Sequence, residues 1–176
     1  ESMLELVEPT DYLQAISLLS TLEQRKADIA ANKTGKFISA VSAKRAAILG
    51  MSLTDYEKWS NDVEYGFILV AKFLRKECFF FTKDLPYRTQ LVPLAAILTL
   101  LKERWLEPKI YEKLSQWFWC GVLGELYGGA VETRIANDLE DFSNWVLNPD
   151  HEVRTIQEAS FQAQRLKTLR SRLSAA

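Results

Sequence analysis

The residues best placed to do chemistry in this chain lie between positions 127 and 138. Tyr127-Gly128-Gly129 stands just before a helical pattern that carries Thr133 and Arg134 near its start. Glycines beside a helix N-terminus leave backbone N–H groups open to a phosphate or carboxylate. A threonine hydroxyl and an arginine fork would add donors. The plainer reading is a helix stop and a tight turn. Arg134 sharpens the question. A cation in the first helical turn opposes the helix dipole, and its i+4 neighbour Asp138 is paired in the poorer order. Local helix stability does not account for this arginine, which leaves an inter-helix salt bridge or a bound anion.

Other groups carry weaker signals. Lys83 and Asp84, with Tyr87, fall in a Lys-Asp-Leu-Pro-Tyr loop that reads as a ligand loop or as a capped turn. Lys44-Arg45 and the stripe Arg165, Lys167, Arg170, Arg172 could meet a phosphate backbone or form a solvated helix face. Trp117 and Trp119 are two apart and point to different sides of a helix, so both pack in the core or one stays out to stack on a partner. His151, the single histidine, sits in a polar loop and reads as a solvated loop residue, a setting that offers neither a triad nor a multi-histidine metal site. Cys78 and Cys120 lie in apolar runs and read as buried free thiols. Asp138 with Asp141, and Glu140 with Asp141, read as ordinary exposed helix charges. There is no P-loop, GxGxxG, HExxH, nucleophile elbow or CxxC. No catalytic residue and no metal ligand is assigned.

The elements that must position these groups are helical. Asp11 and Gln14 have capping-box spacing, and Ile16, Leu19 and Leu22 line one face of a first helix that ends between Asn32 and Gly35. A short helix fits Ser42 to Leu49. Ser52 or Thr54 caps the next, whose apolar line is Tyr56, Trp59, Val63, Phe67, Val70 and Leu74. Cys78 to Phe81 is a buried turn or a short extended piece. Leu91 to Leu101 is apolar on every side and reads as the central, fully buried helix, with Pro93 tolerated in its first turn. A helix from Pro108 is expected to stop at Gly128-Gly129, and another spans Ala130 to Leu147. The last fits Thr155 to Leu173. The expected fold is all-α: one bundle-like domain of about seven helices, with at most a short extended segment near Phe79-Phe81.

Composition agrees. The 176 residues suffice for one domain, and 48% are hydrophobic, which excludes a disordered chain. Seven glycines and five prolines are too few for an all-β fold. The net charge of -1 gives no global pull towards nucleic acid or an anionic membrane. The longest apolar run is about half the ~20 residues of a membrane span, and no secretory signal is seen, so a cytoplasmic location is expected. The chain opens on Glu-Ser-Met and closes on Ala175-Ala176 straight after a helical pattern, which reads as a piece of a longer protein.

Four words stand in order along the chain: ISAVSAKRAAILGMSLTDYEKW, KDLPYRTQLVPLAAIL, WFWCGVLGELYGGAVETRIANDLEDFSNWV and LKTLRSRLSAA. Together they resemble the helical region of the GmrSD-type restriction endonuclease N-terminal-domain family. The resemblance runs from Tyr12 to Ala176, and its most specific word is Gly124 to Leu139. In that family a ParB-like domain with a DGQQR motif comes first, the helical region follows, and many members add an HNH-type nuclease domain. This chain has neither DGQQR nor the HNH histidines. The resemblance therefore implies a helical middle module of a bacterial DNA-restriction, phage-defence protein. Any nucleotide or divalent metal would be used by the parent outside this chain. The partners implied are the ParB-like and nuclease domains of the same protein. Onto this module it carries only Tyr127, Gly128, Gly129, Thr133 and Arg134, as a motif of open role. Direct DNA binding and a stand-alone interaction domain are the alternatives. A face that meets a neighbouring domain is expected to be an apolar patch, able to pair two copies as a homodimer.

Overall fold

Leu91–Leu101 carries no charge, and the rest of the chain folds around it. The structure is a computed structural model that describes residues 4, 5, 7–129 and 131–161. Among these residues there are seven α-helices and no strand: α1 (Pro9–Ala30), α2 (Arg45–Leu49), α3 (Leu53–Lys76), α4 (Leu91–Leu101), α5 (Pro108–Leu123), α6 (Glu132–Leu147) and α7 (Arg154–Glu158). Every residue of α4 except Leu100 is buried, because α1, α3 and α6 pack around it. Pro93 falls in its first turn, where the missing N–H breaks no helical bond. The expected all-α architecture and the central place of this helix hold.

The seam between α3 and α4 is close. A Cβ at Gly66 would stand 2.1 Å from Thr99 Oγ1 and 2.8 Å from the Ala95 carbonyl oxygen, so only glycine lets these helices meet there. The apolar line foreseen on α3 is buried at Val63, Phe67, Val70 and Leu74, while Tyr56 at its start is exposed. From α3, Phe73 meets Trp105, Tyr111 and Phe118 edge-on. Glu77, just past the end of α3, accepts from Tyr111 Oη at 2.7 Å, Ser115 Oγ at 3.1 Å and Trp119 Nε1 at 2.7 Å. Trp117 is fully buried and Trp119 half-buried, so both tryptophans serve the fold.

Several boundaries move for physical reasons. The first helix begins at Pro9, and its capping box is Glu8 with Asp11, which accepts the Glu8 N–H at 2.9 Å, rather than Asp11 with Gln14; proline suits the first helical position. The second short helix starts at Arg45, with Lys44 as its N-cap. Ser52 caps α3 through Asp55, as expected. α5 stops at Leu123, well before Gly128-Gly129. Its end is a Schellman motif: Leu126 N–H reaches Gly121 O at 3.0 Å and Glu125 N–H reaches Val122 O at 3.2 Å. The left-handed position is held by Glu125, at φ 55. α1 and α3 end the same way on Asn32 at φ 58 and Cys78 at φ 66.

Cys78 is exposed rather than buried, and Cys120 is half-buried, because the left-handed turn swings Cys78 outward while Phe79 packs on Phe118 and Trp119. The turn covers residues 77 and 78, residues 79 and 80 have no regular structure, and Phe80 and Phe81 are exposed, so this stretch is neither a buried turn nor a strand. The expected long last helix is interrupted. α7 ends at Glu158, residues 159–161 are non-helical, and Phe161 is exposed. The rest of that expected helix, including Arg165, Lys167, Arg170 and Arg172, lies outside the described residues. No helix among the described residues is long and apolar enough to cross a membrane.

Candidate functional site

α6 presents two aspartates, Asp138 and Asp141, one helical turn apart on the face that meets α7. Their spacing falls within the same stripe as Ile135, Leu139 and Phe142, so folding buries them with those side chains. They are not the exposed helix charges that their acidity suggests: Asp138 is 0% and Asp141 2% exposed. A buried carboxylate must find donors, and each does.

Asp138 accepts from two hydroxyls. Thr155 Oγ1, on α7, donates to Oδ1 at 2.6 Å, and Tyr127 Oη donates to Oδ2. Arg134 Nη1 in turn donates to Thr155 Oγ1 at 3.0 Å, and Nη2 pairs with Glu158 Oε2 at 2.7 Å. The arginine that local helix stability left unexplained thus bridges α6 to α7. Burial lifts the Asp138 carboxyl to about 6, against the opposing pull of its hydroxyl donors and of Arg134. Burial, then the Asp138 charge, pushes the Tyr127 phenol far above its ordinary value. The Trp117 indole meets Tyr127 edge-on at 6.4 Å and also favours the ionised Asp138, although its Nε1 has no partner with hydrogen-bond geometry.

Asp141 holds the other end of α7. Arg154 grips it with two prongs, Nε to Oδ2 at 2.9 Å and Nη2 to Oδ1 at 2.8 Å. The Arg154 backbone N–H adds a third bond at 2.9 Å, so Asp141 caps α7 from a neighbouring helix. His151 Nε2 lies 3.4 Å from Asp141 Oδ1. The histidine is therefore a half-buried neighbour of a carboxylate rather than a freely solvated loop residue.

Only part of the proposed motif converges. Tyr127 and Arg134 meet through Asp138 and Thr155. Gly128, Gly129 and Thr133 are exposed and stand outside this network. A Cβ at Gly128 would come 3.7 Å from the Tyr87 ring, and one at Gly129 would enter open space. Gly129 instead lines a hollow of about 270 Å³ with Gln14, Thr89, Val92 and Glu132 at the start of α6. The acidic Glu132 in that first turn makes the spot less hospitable to an anion. Gly121 is the glycine the network requires, since a Cβ there would strike Gln90 Nε2 at 2.6 Å and the Tyr127 ring at 2.8 Å.

The other candidates sit apart from Asp138. Lys83 is exposed with its ammonium 5.1 Å from the centre of the Phe81 ring, and Asp84 is half-buried, its N–H bonded to Phe81 O at 3.0 Å. Lys44 and Arg45 are exposed and adjacent at the start of α2, with no ion pair among the described residues. No group of three or more His, Cys, Asp or Glu among the described residues could hold a metal ion. The residues that sequence reasoning missed are Asp138, Asp141, Arg154, Thr155 and Glu158. A signal existed for the first: Asp138 stands at an inward position of an apolar stripe.

With carboxyl and phenol sealed from solvent, Asp138 and Tyr127 can exchange a proton with each other but cannot reach a substrate in this arrangement. Their chemistry is to hold α7, through Thr155, and the loop between α5 and α6, through Tyr127, against α6. In comparisons with protein-family models, with curated proteins and with solved structures, nothing matches this chain.

Proposed function

We propose that this chain is a helical connector and binding module of a bacterial DNA-restriction protein, coupling a ParB-like nucleotide-dependent domain to a nuclease domain. The restriction context rests on the resemblance of its sequence words. The observation that carries the connector reading is the Tyr127–Asp138–Thr155–Arg134–Glu158 chain of hydrogen bonds. Polar groups that could have served a reaction are turned inward and join α6, α7 and the loop before α6 into one unit. A buried network satisfied in this way rigidifies the joint between α6 and α7, which suits a module that holds its neighbours in a set geometry. Nucleotide and metal belong, on this reading, to the parent's other domains.

The test is turnover by the chain alone. With magnesium, neither nucleoside triphosphates nor duplex DNA should be consumed. Hydrolysis that disappears in Arg134→Ala would overturn the proposal.

A second reading, direct contact with DNA, is favoured by the exposed pair Lys44 and Arg45. Phosphate contacts predict binding that falls steeply between about 50 and 200 mM salt. Fluorescence anisotropy with labelled duplex decides it: no binding at the low-salt end removes this reading.

A further inference from the structure

α7 is five residues long, and the stretches on either side of it, 148–152 and 159–161, are non-helical and largely exposed. A helix this short has no stability of its own in water. Its apolar grip is small. Val153 just before it is buried, Ile156 is half-buried, and within the helix Thr155 is the one buried residue. The order of α7 therefore rests on its polar fastenings.

Those fastenings are unequal. At Asp141 the carboxylate meets a cation directly, two prongs of the Arg154 guanidinium together with the Arg154 backbone N–H. At Asp138 the carboxyl meets two neutral hydroxyls, Thr155 Oγ1 from α7 and Tyr127 Oη from the loop before α6. The Arg134 guanidinium stops one group short of it, on Thr155 and the exposed Glu158. From α5 the uncharged Trp117 indole faces Asp138, Arg154 feels its charge from α7, and α4 brings no charge. No cation touches Asp138 among the described residues. A buried carboxylate held only by neutral donors is the weak point of the joint.

Burial lifts the Asp138 carboxyl to about 6, and opening α7 would admit water and return it towards its ordinary 3.8. The closed arrangement is thus favoured while the proton is on, fully below about 4, and loses that advantage as the pH rises through 6. Beyond Glu158 the chain crosses the end of α5 closely, since a Cβ at Gly124 would stand 3.3 Å from Ala159 Cα. Lifting α7 moves this crossing with it.

We propose that α7 is a pH-set latch: with Asp138 neutral it lies closed on α6, and with Asp138 charged residues 155–158 lift and unwind while Arg154 stays on Asp141, shifting the path of the chain across α5. The latch stands on the α6–α7 joint and does not depend on the connector reading.

Amide hydrogen exchange of the whole chain, resolved by NMR and corrected for intrinsic rates, tests it. The Ile156 and Gln157 N–H groups bond to Val153 O. Their protection should be about tenfold lower at pH 7.5 than at pH 5, the ratio for a carboxyl near 6 when closed and near 3.8 when open. The Arg154 N–H should stay protected. Mild urea, below the unfolding transition, should speed exchange in α4 and leave Ile156 and Gln157 unchanged, the mark of a local opening. Asp138→Asn should remove the pH dependence. Thr155→Val keeps the shape and takes a hydroxyl donor from the charged carboxylate, so it should steepen the dependence, and it tests the latch even if the first variant does not fold. His151→Gln, which changes the ionisable neighbour of Asp141, should leave the dependence in place. Equal protection at the two pH values overturns the proposal. So does a pH dependence that survives Asp138→Asn, is unchanged in Thr155→Val or vanishes in His151→Gln, as do α7 amides that follow α4 in urea or an Arg154 N–H that opens with them.

Discussion

Asp138 shows how one residue sets the behaviour of its surroundings. Its carboxyl titrates near 6 in the folded chain and near 3.8 when exposed. The folded state therefore takes up this proton first as the pH drops. The stability it contributes is complete below about 4 and is lost as the pH rises through 6. The full change is about 3 kcal/mol for a buried group shifted by roughly two pH units. Urea denaturation from pH 4.5 to 7.5 should show wild-type stability falling across that range, and Asp138→Asn should flatten the slope. Asp28 runs the other way. Lys33, Ser39 and Gln24 hold its carboxyl well below the ordinary range, so its contribution is present above about 4 and lost only on stronger acidification. The window chosen leaves Asp28 ionised in the folded chain throughout, and the Asp138→Asn comparison separates the Asp138 contribution from that of other lowered carboxyls such as Glu8 and Asp55. Removing the donor instead of the acceptor gives a second reading of the same network. Tyr127→Phe should cost about 1–3 kcal/mol in denaturant, because a buried carboxylate loses one of its two hydroxyl donors.

Elements end where the backbone can close its hydrogen bonds, and in α1, α3 and α5 the left-handed position that closes them is not a glycine. Glu125, Asn32 and Cys78 occupy left-handed positions that glycine fills at least cost. Glu125→Gly should therefore raise stability by about 1 kcal/mol, while Gly129→Ala, whose Cβ meets open space, should be close to neutral. Thermal unfolding of the two variants separates a working cap from an idle glycine. α7 is an element of another kind. Five residues cannot hold a helix in water by themselves, so its order is borrowed from Asp138 and Asp141. Asp141→Ala should release it, seen as fast hydrogen exchange at 154 to 158 with α4 protection unchanged. The helices and most of their inward faces were legible from periodicity, because burying an apolar stripe is a local rule. The left-handed ends of α3 and α5 were not, since a Schellman motif is paid for by contacts such as Phe79 on Phe118 that lie far apart in sequence.

At the scale of the whole molecule, the α3–α4 seam is the point on which the packing turns. Gly66→Ala drives a methyl group into Thr99 and the Ala95 carbonyl, and should destabilise the domain by about 2–3 kcal/mol in chemical denaturation. The central burial of Leu91–Leu101 was determined by the sequence alone, because eleven uncharged residues in a helix have no face to offer water. So were the all-α class and the lack of a familiar catalytic motif. The candidate site was only half legible. Tyr127 and Arg134 stood out by their type and position, but their partners Asp138, Thr155 and Glu158 did not. Aspartate is normally a surface residue, and nothing local tells a buried acid from an exposed one. Only the tertiary structure, by laying α7 and the loop after α5 against α6, brought two hydroxyls to Asp138 and a guanidinium to Glu158. That arrangement turned an apparent anion site into a joint between helices. Long-range packing chose which polar groups would be sealed from water, and a polar group sealed from water must bond to whatever was sealed in with it.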